Sequence, residues 1–342
     1  MDGLTITKCT GYTECQQLLQ DNEFKEILEM SPTEAEFLFY IIKKFNPKNL
    51  LEIGIAAGGS SLLLLEAIKN QKDAVLYSID CCNLYYRDKS LKTGYFAKRK
   101  IGSTDKWKTY TGGLAYEYMD TFDKKFDFVL LDTRHMNPGE LLDFLMVYPY
   151  MSENAVLVLH DTAMHTLAIE MQRSITNCLL MSAINGEKYI PETYEPVYFP
   201  SKHPTERLHV NKRCVPNIGA IKIDNKLKNN IYNVFNLLSL PWYYFPEAEK
   251  LSEIGTFLQK HYDKKYIALY ESTVNYQLQV KTIKEEIKNT ENSYQQMKRE
   301  IINMKNSINK LEREYLKKEF DGLSEKIEKL QASVNLIEGK SI

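Results

Sequence analysis

The six cysteines, Cys9, Cys15, Cys81, Cys82, Cys178 and Cys214, contain no CxxC pair. That argues against a zinc ribbon or a disulfide framework and for a reducing, cytoplasmic setting. An excess of charge is missing too. Forty-four lysines and arginines meet 45 aspartates and glutamates, which leaves no global electrostatic case for nucleic acid. Met1-Asp2-Gly3-Leu4-Thr5 lacks the basic-then-apolar layout of a signal peptide, and no apolar run approaches the length of an integral membrane span.

What is present suits a soluble chain: 342 residues, 44% hydrophobic and 26% charged, enough for one sizeable α/β domain and something more. Residues 1–48 read as a helical lead-in. Its main helix starts at Ser31-Pro32-Thr33-Glu34, a capping box with proline at the first helical position, and stops at Asn46-Pro47. From Asn49 short apolar runs alternate with helical stretches: Leu50–Ile53, Ala74–Ile79, Phe126–Leu131 and Val156–Leu159, with Ile218–Ile223 as a late addition. Continuous hydrophobicity suits strands covered on both faces, so residues 49–225 predict a doubly wound, mostly parallel sheet.

Residues 226–273 read as a helical, aromatic extension, and 274–342 as a tail with almost no proline or glycine. In the tail Val280, Ile283, Ile287, Tyr294, Met297, Ile301, Met304, Ile308, Leu311 and Tyr315 recur at alternating steps of three and four, with Thr290 filling one slot. This is a heptad seam. A second seam, Leu323, Ile327, Leu330, Val334 and Ile337, follows a slip near Asp321-Gly322. The tail predicts a coiled coil and a homo-oligomer, or else a hairpin within one chain. Docking of a pathway partner enzyme, such as a glycosyltransferase, is the third outcome.

The run Leu50-Leu51-Glu52-Ile53-Gly54-Ile55-Ala56-Ala57-Gly58-Gly59-Ser60-Ser61 leads from a strand through a turn into a helix. Gly54 and Gly58 let backbone come close to a ligand, and the helix start offers free N–H groups. The next strand ends in Ile79-Asp80, where a carboxylate suits a ribose diol. A nucleotide cofactor follows, NAD or S-adenosylmethionine. Ala56 stands where the NAD spacing expects glycine. Glu52 sits poorly beside a pyrophosphate but well beside the ammonium and sulfonium of S-adenosylmethionine, which tips the choice toward methyl transfer. Farther on, Asp132 with His135 and His160-Asp161-Thr162 close two neighbouring strands; carboxylates converging there suggest a hard divalent ion.

The order ExGxxxGGS, S-I-D, F-D-x-x-x-x-D-x-x-H and L-H-D-T, spanning about Ser31 to Ile223, resembles the class I S-adenosylmethionine-dependent methyltransferases. It is most similar to a bacterial group of metal-dependent sugar and macrolide O-methyltransferases and cephalosporin-hydroxylase-type enzymes. The resemblance implies that Glu52, Gly54, Gly58 and Ser60 line the cofactor site together with Asp132. It implies that Asp80 holds the ribose and that Gly113 and Leu114 lie near the adenine. It further implies that Asp132 and Asp161, with His160 beside them, bind Mg2+ and that His135 acts as base. His160-Asp161 stands where metal-dependent relatives often carry two acids, and Glu153-Asn154 replaces the usual Gly-Gly. The expected acceptor is a small-molecule or glycan hydroxyl. Two other readings compete: an NAD-dependent oxidoreductase, and a non-catalytic coiled-coil scaffold carrying a degenerate methyltransferase domain. The joint presence of Glu52, Gly54, Asp80, Asp132 and Asp161 argues against the second. Aromatics at Tyr194–Pro200 and Pro241–Phe245 suit sugar stacking or ordinary core, and Lys202–Arg207 has the polarity of a lid.

Overall fold

The computed structural model describes residues 3–9, 11–102, 104–166, 171–192, 216–224, 226–227 and 231–338. Tyr194–Pro200, Lys202–Arg207 and Cys214 lie outside the described residues. The strands are β1 Leu4–Thr7, β2 Asn49–Ile53, β3 Val75–Asp80, β4 Trp107–Thr111, β5 Phe126–Leu131, β6 Met151–His160, β7 Gly186–Pro191 and β8 Ile218–Ile223. The α-helices are α1 Thr13–Gln20, α2 Asn22–Leu28, α3 Pro32–Phe45, α4 Gly59–Ile68, α5 Tyr95–Ile101, α6 Ala115–Met119, α7 Gly139–Val147, α8 Thr176–Ala183, α9 Tyr232–Leu237, α10 Ala248–His261 and α11 Lys264–Glu338.

All eight strands join one sheet in the order β1-β7-β8-β6-β5-β2-β3-β4. Pairing is parallel except that β8 runs antiparallel to both β6 and β7. The expected doubly wound, mostly parallel architecture is therefore present. Its strand order reverses between β2 and β5, the point where open α/β sheets form a crevice.

The apolar runs are continuous because both faces are covered. Leu50, Leu76, Phe128, Leu130, Val156 and Val158 belong to one core with Phe37, Leu38, Ile41 and Ile42 of α3 and Leu62–Leu65 of α4. Leu51, Val129, Leu131, Leu157 and Leu159 alternate with these and are buried as well, on the side where α7 packs on β5 and α8 on β6. The capping box forms as expected: Ser31 Oγ accepts from Glu34 N and Glu34 Oε2 accepts from Ser31 N at 2.6 Å.

Two boundaries are corrected. The lead-in is not purely helical. Leu4–Thr7 forms an edge strand against β7; it is only four residues long, and its apolar residues Leu4 and Ile6 are the exposed ones. It belongs to the same compact unit as the sheet, Met1–Gln277. That unit also takes in the first turns of α11, where Tyr266, Tyr270, Val274 and Gln277 are buried and Gln277 Nε2 donates to the carbonyls of Ser239 and Leu240. The second unit, Leu278–Ile342, is helix up to Glu338. The helix runs unbroken through Asp321-Gly322, so the hairpin does not form. Its seam residues are exposed, Ile301 by 55% and Leu330 by 66%. No helix among the described residues is long and apolar enough to cross a membrane.

Candidate active site

The crevice is built first from a close approach of backbone. A Cβ on Gly54 would stand 1.9 Å from the Asp132 carbonyl oxygen, and Gly54 has φ +101°, so only glycine fits. At Gly58, φ +95°, a Cβ would meet the Ala97 side chain at 2.9 Å. Their Cβ positions face the protein's own chain, at the seam of β2 with β5 and under α5.

Glu52 lies beneath this turn. It is completely buried and accepts hydrogen bonds from the hydroxyls of Ser60, Ser61 and Ser78, each at 2.6 Å. Ser78 in turn accepts from Trp107 Nε1 at 2.9 Å. The carboxyl thus ties β2, β3, β4 and the start of α4 together beneath the turn. Ser60 spends its hydroxyl on the same bond. Burial raises the Glu52 pKa to about 7, against the lowering effect of the three hydroxyls.

Asp80, half-buried at the end of β3, uses Oδ2 to accept from the amides of Ile55 (2.9 Å) and Ala56 (3.0 Å), and Oδ1 to accept from Cys82 N (2.8 Å). It thereby shapes the glycine turn as well as facing the crevice. Gly112 N donates to the Asp80 carbonyl, and Leu114 N to Glu117 Oε1 at 2.9 Å, so the Gly113-Leu114 turn borders Asp80.

On the other side of the reversal lies a cluster of charges. His160 Nδ1 is 3.3 Å from Asp132 Oδ2 and 3.5 Å from Asp161 Oδ2, and its Nε2 is 3.8 Å from Glu34 Oε2. His135 bridges Glu140 Oε1, 3.0 Å from Nδ1, and Asp161 Oδ2, 3.1 Å from Nε2. Burial alone would lower the His135 pKa, but Glu140 and Asp161 outweigh it and lift it to about 10. For His160 burial is likewise overcome by Asp161 and Asp132, which hold it well above its ordinary value. Burial pushes the Asp132 carboxyl upward, and the His160 charge more than reverses this. His135, expected to act as the base, thus stands between two carboxylates that favour its protonated form. Asp132, Asp161 and His160 offer ligand atoms within 4.8 Å of one another, as do Asp132, His135 and Glu140.

Sequence reasoning missed three groups here. Glu140 is fully buried at the start of α7, five residues after His135, a spacing that only the turn between them makes close. Glu34 was visible only as a cap. Asn217, just before β8, reaches Asp161 because β8 runs antiparallel to β6. The His135 loop is itself anchored. Asn137 Nδ2 donates to the Leu240 carbonyl, its own carbonyl accepts from Tyr243 N and Tyr244 N, and Thr176 Oγ1 donates to the His135 carbonyl. Arg134 lies over the Tyr244 ring at 4.1 Å. His261 pairs with Asp120 at 2.9 Å.

Residues 51–162 match a family model described as a methyltransferase domain. This span holds Glu52, Gly54, Gly58, Asp80, Asp132, His135, His160 and Asp161. An O-methyltransferase of Aspergillus hancockii is 22% identical over 148 residues, 43% of this chain and 56% of that protein. The chain thus spans about half the length of the curated relative it matches. Among solved structures, the O-methyltransferase of Bacillus cereus in complex with SAH is 14% identical with TM-score 0.42, over 62% of this chain and 92% of that one. A SAH-bound methyltransferase of Podospora anserina is 15% identical with TM-score 0.42, over 63% and 89%.

The Glu52 carboxyl makes stability pH-dependent. Its folded pKa is raised from 4.5 to about 7, so between those values the folded chain holds a proton that the unfolded chain has lost, and stability falls as pH rises through that window. Glu52→Gln removes this loss. From pH 4.5 to 7 the stability difference should move by on the order of 3 kcal/mol in the variant's favour, measured by denaturant unfolding at each pH. A difference that stays constant with pH contradicts the buried carboxyl.

Proposed function

We propose that this chain is an S-adenosylmethionine-dependent O-methyltransferase that methylates a hydroxyl of a sugar, polysaccharide or related polyol with the help of a divalent cation. The observation that carries this reading is the meeting of two elements at one sheet reversal. The turn and Asp80 stand at the ends of β2 and β3, and the Asp132, His135, His160 and Asp161 cluster stands at the ends of β5 and β6. The residues fit the cofactor. The first turn of α4 has no side-chain cap, which leaves its amides for a ligand, and Asp80 borders the crevice where a ribose diol needs an acceptor. When bound, S-adenosylmethionine supplies a sulfonium methyl for direct displacement.

A cation fits as well. His160 is buried with neither ring nitrogen in a hydrogen bond of good geometry, beside carboxylates that outnumber the imidazoles. Asp132 and Asp161 would hold Mg2+, with His160 joining them on loss of its proton, and the ion would supply Lewis acidity toward an acceptor's oxygens. We assign His135 as the group that takes the hydroxyl proton. In the cluster as it stands Asp161 and Glu140 keep it protonated, so that role begins only once the charge of one of them is neutralised. Tyr243, exposed beside the His135 loop with the Arg173 guanidinium over its ring at 5.2 Å, offers an aromatic surface for a sugar only on the opposite face.

An NAD-dependent oxidoreductase is disfavoured by Ala56, which holds a left-handed φ of +49° at a site where the dinucleotide turn takes glycine. Calorimetric titration separates the two cofactors. S-adenosylmethionine should bind at micromolar strength or better, and Asp80→Ala should weaken it at least tenfold; tight NAD binding in its place overturns the reading. With a polyol acceptor, exhaustive chelation should abolish methyl transfer, and His135→Ala should cost about two to four powers of ten in turnover. A loss under fivefold returns His135 to a structural role.

For the second unit we favour pairing with a second copy. The exposed stripe from Val280 to Val334 is about 80 Å long at 1.5 Å per residue. At a width of roughly 10 Å, two such stripes bury about 1,600 Å², the size of a stable specific interface. Sedimentation should show an oligomer that Ile301→Asp dissociates without loss of S-adenosylmethionine binding. A wild-type monomer would leave the stripe to a different partner, such as an enzyme of the same pathway.

A further inference from the structure

Asp161 carries two unusual features. Its backbone has φ +55°, a left-handed conformation that residues with a side chain seldom adopt. Its two oxygens also have separate partners. Oδ2 faces the imidazoles, 3.1 Å from His135 Nε2 and 3.5 Å from His160 Nδ1, whereas Oδ1 accepts from Asn217 Nδ2 at 2.6 Å.

Asn217 is buried, 2% exposed, and it grips the same turn at two other points. Its Oδ1 accepts from Ala163 N at 3.0 Å, and its backbone carbonyl accepts from Thr162 N at 3.0 Å. The orientation of its amide is fixed by chemistry. An ionised carboxylate only accepts and a backbone N–H only donates, so the nitrogen must face Asp161 and the oxygen Ala163. No other residue type of this length supplies both a donor and an acceptor at that fork. The antiparallel pairing of β8 with β6, in which Ile218 opposes His160, sets the fork directly across from Asp161.

We infer that Asn217 is a positioning residue: it holds the left-handed Asp161 turn and occupies Oδ1, so that one carboxylate oxygen, Oδ2, is aimed at the cluster. This rests on the proposed cation at Asp132 and Asp161. A carboxylate free to rotate about its Cα–Cβ and Cβ–Cγ bonds would have to be ordered on each binding event. A partner that pre-orders it raises cation affinity without touching the ion.

The test is calorimetric titration of the full chain with Mn2+, beside titration with S-adenosylhomocysteine. Wild type should bind Mn2+; Asn217→Ala should weaken that binding by about 10- to 100-fold while leaving S-adenosylhomocysteine affinity unchanged. A merely structural role would move both affinities or neither. If Asn217→Ala does not fold, Asn217→Ser, which stays polar but is too short to span the fork, is expected to give the same selective loss. Equal Mn2+ affinity in a folded variant overturns the role of Asn217. No Mn2+ binding by wild type instead overturns the cation reading on which it rests, and the two failures are told apart by the wild-type titration.

Discussion

Strands β2 and β5 can lie side by side at their carboxyl ends only because Gly54 has no side chain. The Asp132 carbonyl oxygen occupies the space a Cβ would need, at 1.9 Å, and Asp132 N donates to the Ile53 carbonyl across the same gap. On this contact the sheet reverses direction. The connection after β2 goes one way through the glycine turn and α4, and the connection after β5 goes the other way through the His135 loop and α7. The two halves of the crevice therefore share a wall one residue thick. A displacement that separated the strands would move Asp80 away from Asp132 as a unit, which makes Gly54 more consequential than residues nearer the surface.

The site also concentrates acids that an ordinary core would exclude. Glu52 survives burial through three hydroxyl donors, an arrangement that satisfies the group while burial still holds its pKa up at about 7. Asp132, Asp161 and Glu140 survive through the two imidazoles. Breaking one such pair leaves its partner buried and unmatched, which costs more than the pair contributes. This is the pattern expected where a protein keeps charges in place for use, and it also explains why Asp161 is held by Asn217 instead of being left to the imidazoles alone.

Much of this was legible in the sequence. The runs around Leu50, Leu76, Phe128 and Val158 announced buried parallel strands, because both faces of each are covered. Asp80, Asp132 and Asp161 stood at strand ends, where the topology then gathered them. The edge strand Leu4–Thr7 was not legible, since four residues are too few and its apolar Leu4 and Ile6 face outward. Nor was the direction of Glu52. A strand has two faces, and the register that turns Glu52 toward Ser60 and Ser78 is set by neighbours far along the chain. Glu140 and Asn217 escaped for the same reason: their partners come from a turn and from an antiparallel strand that no local spacing reveals.

The most direct measurement of the central claim, that the crevice at the β2/β5 reversal seats the cofactor, is a crystal structure of the chain grown with S-adenosylhomocysteine. The account predicts the ligand over the Ile55–Gly58 turn with its ribose against Asp80 and its sulfur end toward Asp132. Ligand bound elsewhere in the domain, with that crevice closed by its own side chains, would contradict it.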